Sequence, residues 1–457
     1  MKEEEKKLLA ISLLDGRNWD KVKIVSDYFS EFALIKYRVF VEIEYLIFLS
    51  TKTKLLRKLS RKEINILRKI EKNFSLKNAV IIKEEEQKIN HDVKAVEYFL
   101  RQKLQKTSLI DITEFIHFGL TSYDINIPSY ALMLNNFRKD FLSIHLENLL
   151  AKLKDLIIQS KSMMMLGRTH GQPALPTTMG KELAVYYQRL KREKEILVSI
   201  PMEAKLTGAV GNFNALYFID SKFDWLKFSQ DFISFLGLAP NIVTTQILPY
   251  DSWIRLFDSL KRLNNILLGL CTDIWWYISF EYFLQKKKEK EVGSSTMSHK
   301  INPITFENAE GNLGLANSIF DFFGRKLSYS RLQRDLSDST VKRNFGLAFG
   351  HTLLAWDSLI SGINRITPNP HKMEEDLNNH WEIFSEGIQT YLRLKGNKNA
   401  YELLKEKTRG KILTKKEIYQ LIDSLPIKNN EKRKLKIKDL KEYSGLSKKL
   451  AEIVIKL

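Results

Sequence analysis

The sequence holds a single cysteine, Cys271, among its 457 residues. One thiol cannot form an intrachain disulfide, and a lone cysteine away from clustered histidines suits a reducing cytosol. Proline is also scarce. None occurs before Pro128, none between Pro249 and Pro303, and none between Pro303 and Pro368. Stretches this long without proline leave helices free to extend. Alternating apolar and polar runs joined by Asn-Gly or Asp-Gly turns are missing, which argues against a β-rich core. Long uninterrupted apolar runs are missing too. The most apolar stretch, 266–284, is broken by Asp273 and Glu281, so it predicts a buried bundle helix rather than a membrane span. The start, Met1 to Lys7, mixes acids with lysines and leads into no apolar segment of signal-peptide type.

What is present points to helices. Leu142, Leu146, Leu149, Leu153 and Leu156 step by four and three residues, and Leu256, Leu260, Leu263, Leu267, Leu270 and Ile274 repeat the pattern. Each series lies along one face of a helix and suits near-parallel packing. The expected fold is all-α in three parts: an N-terminal helical domain over 1–118, a central long-helix bundle over 119–364, and a smaller Lys-rich helical domain over 365–457. Thr367-Pro368-Asn369-Pro370 marks the second break. No internal repeat is visible.

The formal net charge is +19. Residues 401–457 carry sixteen Lys/Arg against eight Asp/Glu, so nearly half of the excess lies in the tail. Clustered cations neutralise nucleic-acid phosphates. However, no zinc finger, RNP-type strand or aromatic-interleaved basic motif accompanies them. Solvated helix faces explain the tail, and a basic surface around a site would steer a polyanionic small substrate.

Two segments carry chemistry. Gly293-Ser294-Ser295-Thr296-Met297-Ser298-His299-Lys300-Ile301-Asn302-Pro303 is too small and polar for a core helix, and it has the composition of a loop that closes over a ligand. Arg168-Thr169-His170-Gly171-Gln172-Pro173 sets a histidine among small residues; taken alone, such a histidine is usually a surface residue. No His-Glu-x-x-His or other ligand spacing occurs, so no metal is expected.

The first segment resembles the motif Gly-Ser-Ser-x-Met-Pro-x-Lys-x-Asn-Pro of the fumarase/aspartase superfamily, with Ser298 in place of its proline. The second resembles that superfamily's Thr-His-Gly-Gln-Pro string. The resemblance implies removal of a proton next to a carboxylate, loss of a nitrogen or oxygen group, and release of fumarate. It makes Ser294 the base, activated by loop amides and the Lys300 ammonium, and His170 the acid that protonates the leaving nitrogen. Residues alone do not decide between Ser294 and Ser295; the resemblance favours the serine that follows glycine. It also makes Glu307 the group that holds His170 in its working tautomer. The catalytic loop spans 287–303.

Other segments resemble the adenylosuccinate lyase family, in its longer bacterial branch. They are Asp15-Gly16-Arg17, Asn90 to Glu97, Phe118 to Asn126, Thr244-Thr245-Gln246, and Arg331 to Asn344. On this resemblance the substrate-binding set is Arg17, Asn18, Asn90, His91, Asp92, Thr121, Ser122, Gln246, Ser295, Ile301, Asn302, Asn308, Arg334, Ser339, Thr340, Val341, Lys342 and Arg343. The arginines would take phosphate and ribose, since guanidinium forks match anionic oxygens. Asn18 stands where the family often has tyrosine. The implied reactions release fumarate from adenylosuccinate, giving AMP, and from SAICAR, giving AICAR. They need no cofactor, and they run in a cytoplasmic homotetramer whose sites are shared between subunits. Another fumarate-releasing member, such as an argininosuccinate lyase, remains open at this point.

Overall fold

Helix caps and apolar stripes shape the chain. The computed structural model describes residues 3–287, 296–297 and 299–456. Apart from three two-stranded sheets, its regular elements are helices, which makes the fold all-α. The helices used below are α1 (Glu31–Lys52), α2 (Asp92–Leu104), α3 (Ser122–Phe137), α4 (Ser143–Ser160), α5 (Met179–Ser199), α6 (Asp251–Ser279), α7 (Ile304–Leu327), α8 (Ser337–Lys342) and α9 (Phe345–Arg365). The strands are β1 (Met164–Thr169), β2 (Gln172–Thr178), β3 (Glu203–Ala204), β4 (Ala239–Pro240), β5 (Phe283–Gln285) and β6 (Ile366–Pro368).

The start of α1 shows local specification: the Ser30 hydroxyl accepts from the Ala33 amide at 3.1 Å, satisfying one orphan donor of the first turn. The two predicted leucine stripes are enclosed. Leu142 to Leu153 are 0% exposed and Leu156 is 5%, while none of Leu256 to Ile274 in the second stripe exceeds 1%. Enclosing each such side chain contributes roughly 1.5–3 kcal/mol. The helix predicted across 266–284 ends earlier, at Ser279. Glu281 adopts φ 61°, a left-handed turn, and Phe283–Gln285 leaves to pair with Ile366–Pro368. Among the described residues no helix is long and apolar enough to cross a membrane.

The chain forms two compact units: 1–146, 193–265 and 312–355 in one, and 147–192, 266–311 and 356–457 in the other. In the first, Phe257 of α6 meets Phe320 and Phe323 of α7 and Phe345 of α9, with ring centroids 5.7, 5.4 and 5.1 Å away. Phe137 of α3 and Phe29 join through Phe349 at 5.0 and 4.8 Å. Such aromatic pairs add roughly 0.5–1.5 kcal/mol each beyond burial. In the second unit, Leu377, Trp381, Ile388, Leu392, Ile418, Ile422 and Leu440 form a core that also takes in Leu166 of β1.

Candidate active site

The first unit gathers most of the expected substrate-binding residues. Asn90 turns the chain into α2 with φ 53°, a conformation asparagine tolerates better than most residues. His91 caps α2, its Nδ1 accepting from the Lys94 amide at 3.1 Å. Asp92 follows, held between two guanidinium groups: Arg38 Nη2 at 2.6 Å and Arg343 Nη2 at 3.1 Å. Burial works to raise the Asp92 carboxyl, but Arg38, the Val93 amide and Arg343 outweigh it and hold it at about 2. Arg38 is itself enclosed, with Nε donating to Asn126 Oδ1 of α3 at 2.7 Å. Arg17 is exposed on the turn before the helix Trp19–Val22, and Asn18 beside it is half-buried.

Thr121 and Ser122 open α3. The Thr121 amide donates to Asp124 Oδ2 at 3.0 Å. Asp124 is fully buried, and it also accepts from Lys205 Nζ at 2.8 Å, the Thr207 amide at 3.0 Å and the Gly208 amide at 3.2 Å. This buried pair ties the 205–208 segment to the start of α3. Gly211 continues that segment with φ 86°, and an added Cβ would stand 1.9 Å from the Thr244 carbonyl oxygen. Only glycine permits the approach, which brings Gln246 alongside.

Gln246 joins the 334–343 stretch. Its Oε1 accepts from Arg334 Nη1 at 2.8 Å, and its Nε2 donates to the Ala209 carbonyl at 2.9 Å. Arg343 Nη1 bonds the Ser339 hydroxyl, and Thr340 is exposed nearby in sequence. Val341 and Lys342 are different: their side chains are enclosed. Lys342 Nζ donates to Asp338 Oδ2 at 2.6 Å and to Tyr250 Oη at 2.7 Å. Burial pushes its ammonium down to about 8, against the opposing pull of Asp338.

The second unit holds His170. β1 and β2 pair antiparallel with Thr169 opposite Gln172, so His170 and Gly171 are a two-residue turn. Both have positive φ, 52° and 74°, as a type I′ hairpin requires. Sequence reasoning places His170 in a loop; it stands, exposed, at the tip of a β-ribbon. Pro173 and Pro176 fit because a two-stranded ribbon leaves outward amide positions unpaired. The ribbon is anchored by Leu166 in the core and by Arg168, which reaches Asp376 at 3.3 Å and lies 5.4 Å from the Phe280 ring. Arg168, Thr169 and Gly171 also line a cavity of about 920 Å³ with Trp276 and Tyr277.

Glu307 sits in the first turn of α7, where Trp275 Nε1 donates to its Oε1 at 3.2 Å. Asn308 follows it, exposed. Lys300 is exposed, with its amide donating to the Met297 carbonyl at 3.1 Å. Gln285 of β5 donates to the Ile301 carbonyl at 2.8 Å, tying the end of this loop to the β5–β6 sheet ahead of half-buried Asn302. Ser294, Ser295 and Ser298 lie outside the described residues.

Within each unit, sequence reasoning missed residues that hold the expected ones in place. Arg38, Lys205 and Trp275 sit in stretches with no chemical signature, and Asp124 lies in a family-like segment without having been singled out. Tyr123 and Asp338 lie inside family-like segments, yet a tyrosine at a helix start reads as ordinary core.

Residues 28–316 match the family described as Lyase, and residues 330–444 match the family described as Adenylosuccinate lyase C-terminal. The adenylosuccinate lyase of Buchnera aphidicola subsp. Baizongia pistaciae is 45% identical, covering 98% of this chain and 97% of its own. That of Dictyostelium discoideum is 45% identical over 96% of this chain and 97% of its own. That of Escherichia coli (strain K12) is 42% identical over 96% and 97%. Among solved structures, a fumarate lyase from Mesorhizobium sp. BNC1 superposes with TM-score 0.75 at 16% identity, covering 96% of this chain and 97% of its own. The 3-carboxy-cis,cis-muconate lactonizing enzyme of Pseudomonas putida gives 0.74 at 16% identity over 95% and 96%. These two likenesses speak to the fold; the identity to curated relatives, sustained along nearly the whole of both chains, is what shows that this chain belongs to the adenylosuccinate lyase family.

Proposed function

We propose that this chain releases fumarate from adenylosuccinate, giving AMP, and from SAICAR, giving AICAR, by anti β-elimination. The full-length identity to adenylosuccinate lyases carries this reading. The alkoxide of Ser294 takes the proton from the carbon beside a carboxylate. The electron pair left behind is spread into that carboxylate, which Lys300 and Asn302 stabilise as it gains charge. The pair then forms the carbon–carbon double bond as the carbon–nitrogen bond breaks, and His170 protonates the departing nitrogen. Glu307 sets the imidazole tautomer. Arg17, Arg334, Ser339 and Arg343 take the phosphate and ribose end, with Asn90 to Asp92, Thr121, Ser122 and Gln246 around the remainder. No redox step or cofactor enters, because the substrate's own carboxylate absorbs the charge.

Geometry supports this assignment in one respect above others. His170 stands exposed at the tip of a braced hairpin, where its imidazole is free to meet a substrate. We further propose a cytoplasmic homotetramer with sites shared between subunits. Within one chain the bundle helices expose large apolar side chains: Val185 and Val198 on α5, Trp276 on α6, and Leu315 and Phe322 on α7. Copies of the chain would cover these faces. In this reading the chain works as three parts, 1–118, 119–364 and 365–457.

Fumarate release, followed by absorbance, tests the assignment. Ser294→Ala and His170→Ala should each lower kcat by roughly a thousandfold or more, the scale of losing a base or acid, with substrate binding still measurable. Near-normal turnover in Ser294→Ala removes the base assignment. Turnover of argininosuccinate instead of adenylosuccinate would move the chain to a different substrate class.

A further inference from the structure

Arg334 is one of the expected phosphate ligands, and part of its support comes from a residue the mechanism does not use. Its guanidinium carbon lies 3.9 Å from the centroid of the Tyr123 ring. At that distance the flat cation has to lie over the ring's face, which leaves its in-plane N–H edge turned sideways. One of those donors goes to Gln246 Oε1 at 2.8 Å. Gln246 is in turn held by the Ala209 carbonyl at 2.9 Å and the Gln333 carbonyl at 3.2 Å.

Tyr123 is fixed from its other end. It is 1% exposed, and its hydroxyl donates to Asp338 Oδ1 at 2.7 Å. Asp338 Oδ2 accepts from Tyr250 at 2.6 Å and from Lys342 at 2.6 Å. Lys342 also lies 4.4 Å from the Tyr123 centroid. A phenol hydrogen-bonded to a carboxylate gains electron density in its ring, which strengthens its hold on a cation. Burial and the neighbouring Asp338 both push the Tyr123 phenol well above its ordinary range, so it remains a neutral donor at working pH. This one ring therefore links the start of α3, where Thr121 and Ser122 lie, to the 334–343 stretch that carries Arg334, Ser339 and Arg343.

We propose that Tyr123 is a positioning residue that presents Arg334 to the substrate's phosphate, with the Asp338–Tyr250–Lys342 cluster as its mount. The proposal rests on the reading of Arg334 as a phosphate ligand. It assigns Tyr123 to binding of the phosphate end rather than to the elimination step.

The test compares Tyr123→Leu, Tyr123→Phe and Arg334→Ala in the full-length enzyme. KM and kcat are measured with adenylosuccinate, and inhibition constants with AMP and with fumarate, which lacks a phosphate. Tyr123→Leu should raise KM and the AMP inhibition constant roughly three- to thirty-fold, the range of losing a desolvated cation–π contact. Its kcat and its fumarate inhibition constant should stay near wild type. Tyr123→Phe keeps the ring face and should fall between wild type and Tyr123→Leu. Should the leucine variant not fold, Tyr123→Met, which keeps the volume without the aromatic face, makes the same measurement. An unchanged KM, or an equal loss of AMP and fumarate binding, overturns the proposal, because the second pattern describes general loosening. If Arg334→Ala raises KM while Tyr123→Leu does not, only the brace falls. If Arg334→Ala leaves KM and AMP binding unchanged, the phosphate reading of Arg334 falls and takes the brace with it.

Discussion

At the scale of single residues, charge pairing in the first unit has consequences for pH. The Asp92 carboxyl sits at about 2 in the fold, against an ordinary 3.8, because Arg38 and Arg343 outweigh the cost of burial. A depressed carboxyl contributes stability that is present above its unfolded value and lost as pH falls through its folded one. The window is therefore pH 4 down to 2, and the contribution is about 2 kcal/mol. Urea midpoints measured across that window should fall with acid in the wild type and fall less in Asp92→Asn. At neutral pH the same variant should be less stable by roughly 3 kcal/mol, since enclosed Arg38 loses its counter-charge. Equal acid limbs in the two proteins would show that Asp92 is not the titrating group. Cys271 contributes no comparable chemistry: it is buried, and burial pushes its thiol up to about 12.

At the scale of elements, the approach of α9 to the start of α7 depends on a missing side chain. A Cβ on Gly362 would lie 2.8 Å from both Phe306 Cζ and Thr305 Oγ1. Phe306 is buried, and it immediately precedes Glu307. Gly362→Ala should therefore displace the first turn of α7 and destabilise the fold by roughly 1–3 kcal/mol, the usual cost of overpacking. It should also lower kcat, because Glu307 moves with that turn. A thermal midpoint equal to wild type would show that the turn yields without strain. The His170 hairpin is an element of another kind. Its turn geometry was open to a reader of Thr-His-Gly-Gln, since glycine tolerates positive φ. Yet the two prolines that follow argue against a strand, and only the ribbon's unpaired outer edge makes room for them.

At the scale of the whole molecule, the proposed sharing of sites between subunits has a direct signature. Ser294→Ala and His170→Ala are each expected to be inactive alone. If serine and histidine of one site come from different chains, mixed and reassociated tetramers should regain activity. Random assortment of equal amounts leaves about a quarter of sites with both native groups. Recovery near a quarter of wild-type fumarate release would support shared sites. No recovery, with exchange of subunits verified by mass, would place both groups of a site in one chain.

The sequence by itself determined the helical class, through its leucine stripes and its proline-free stretches, because period and backbone restraint act locally. It also supplied the chemical vocabulary of the proposed reaction, since Gly293 to Pro303 and Arg168 to Pro173 are contiguous strings that can be read without the fold. Tertiary structure alone decided which distant polar groups meet. Asp92 meets Arg343 across 251 residues, and Tyr123 meets Asp338 across 215. A buried polar group takes whichever partner the packing of helices brings within about 3 Å. That choice is made by the enclosed core as a whole, and no local pattern of residues records it.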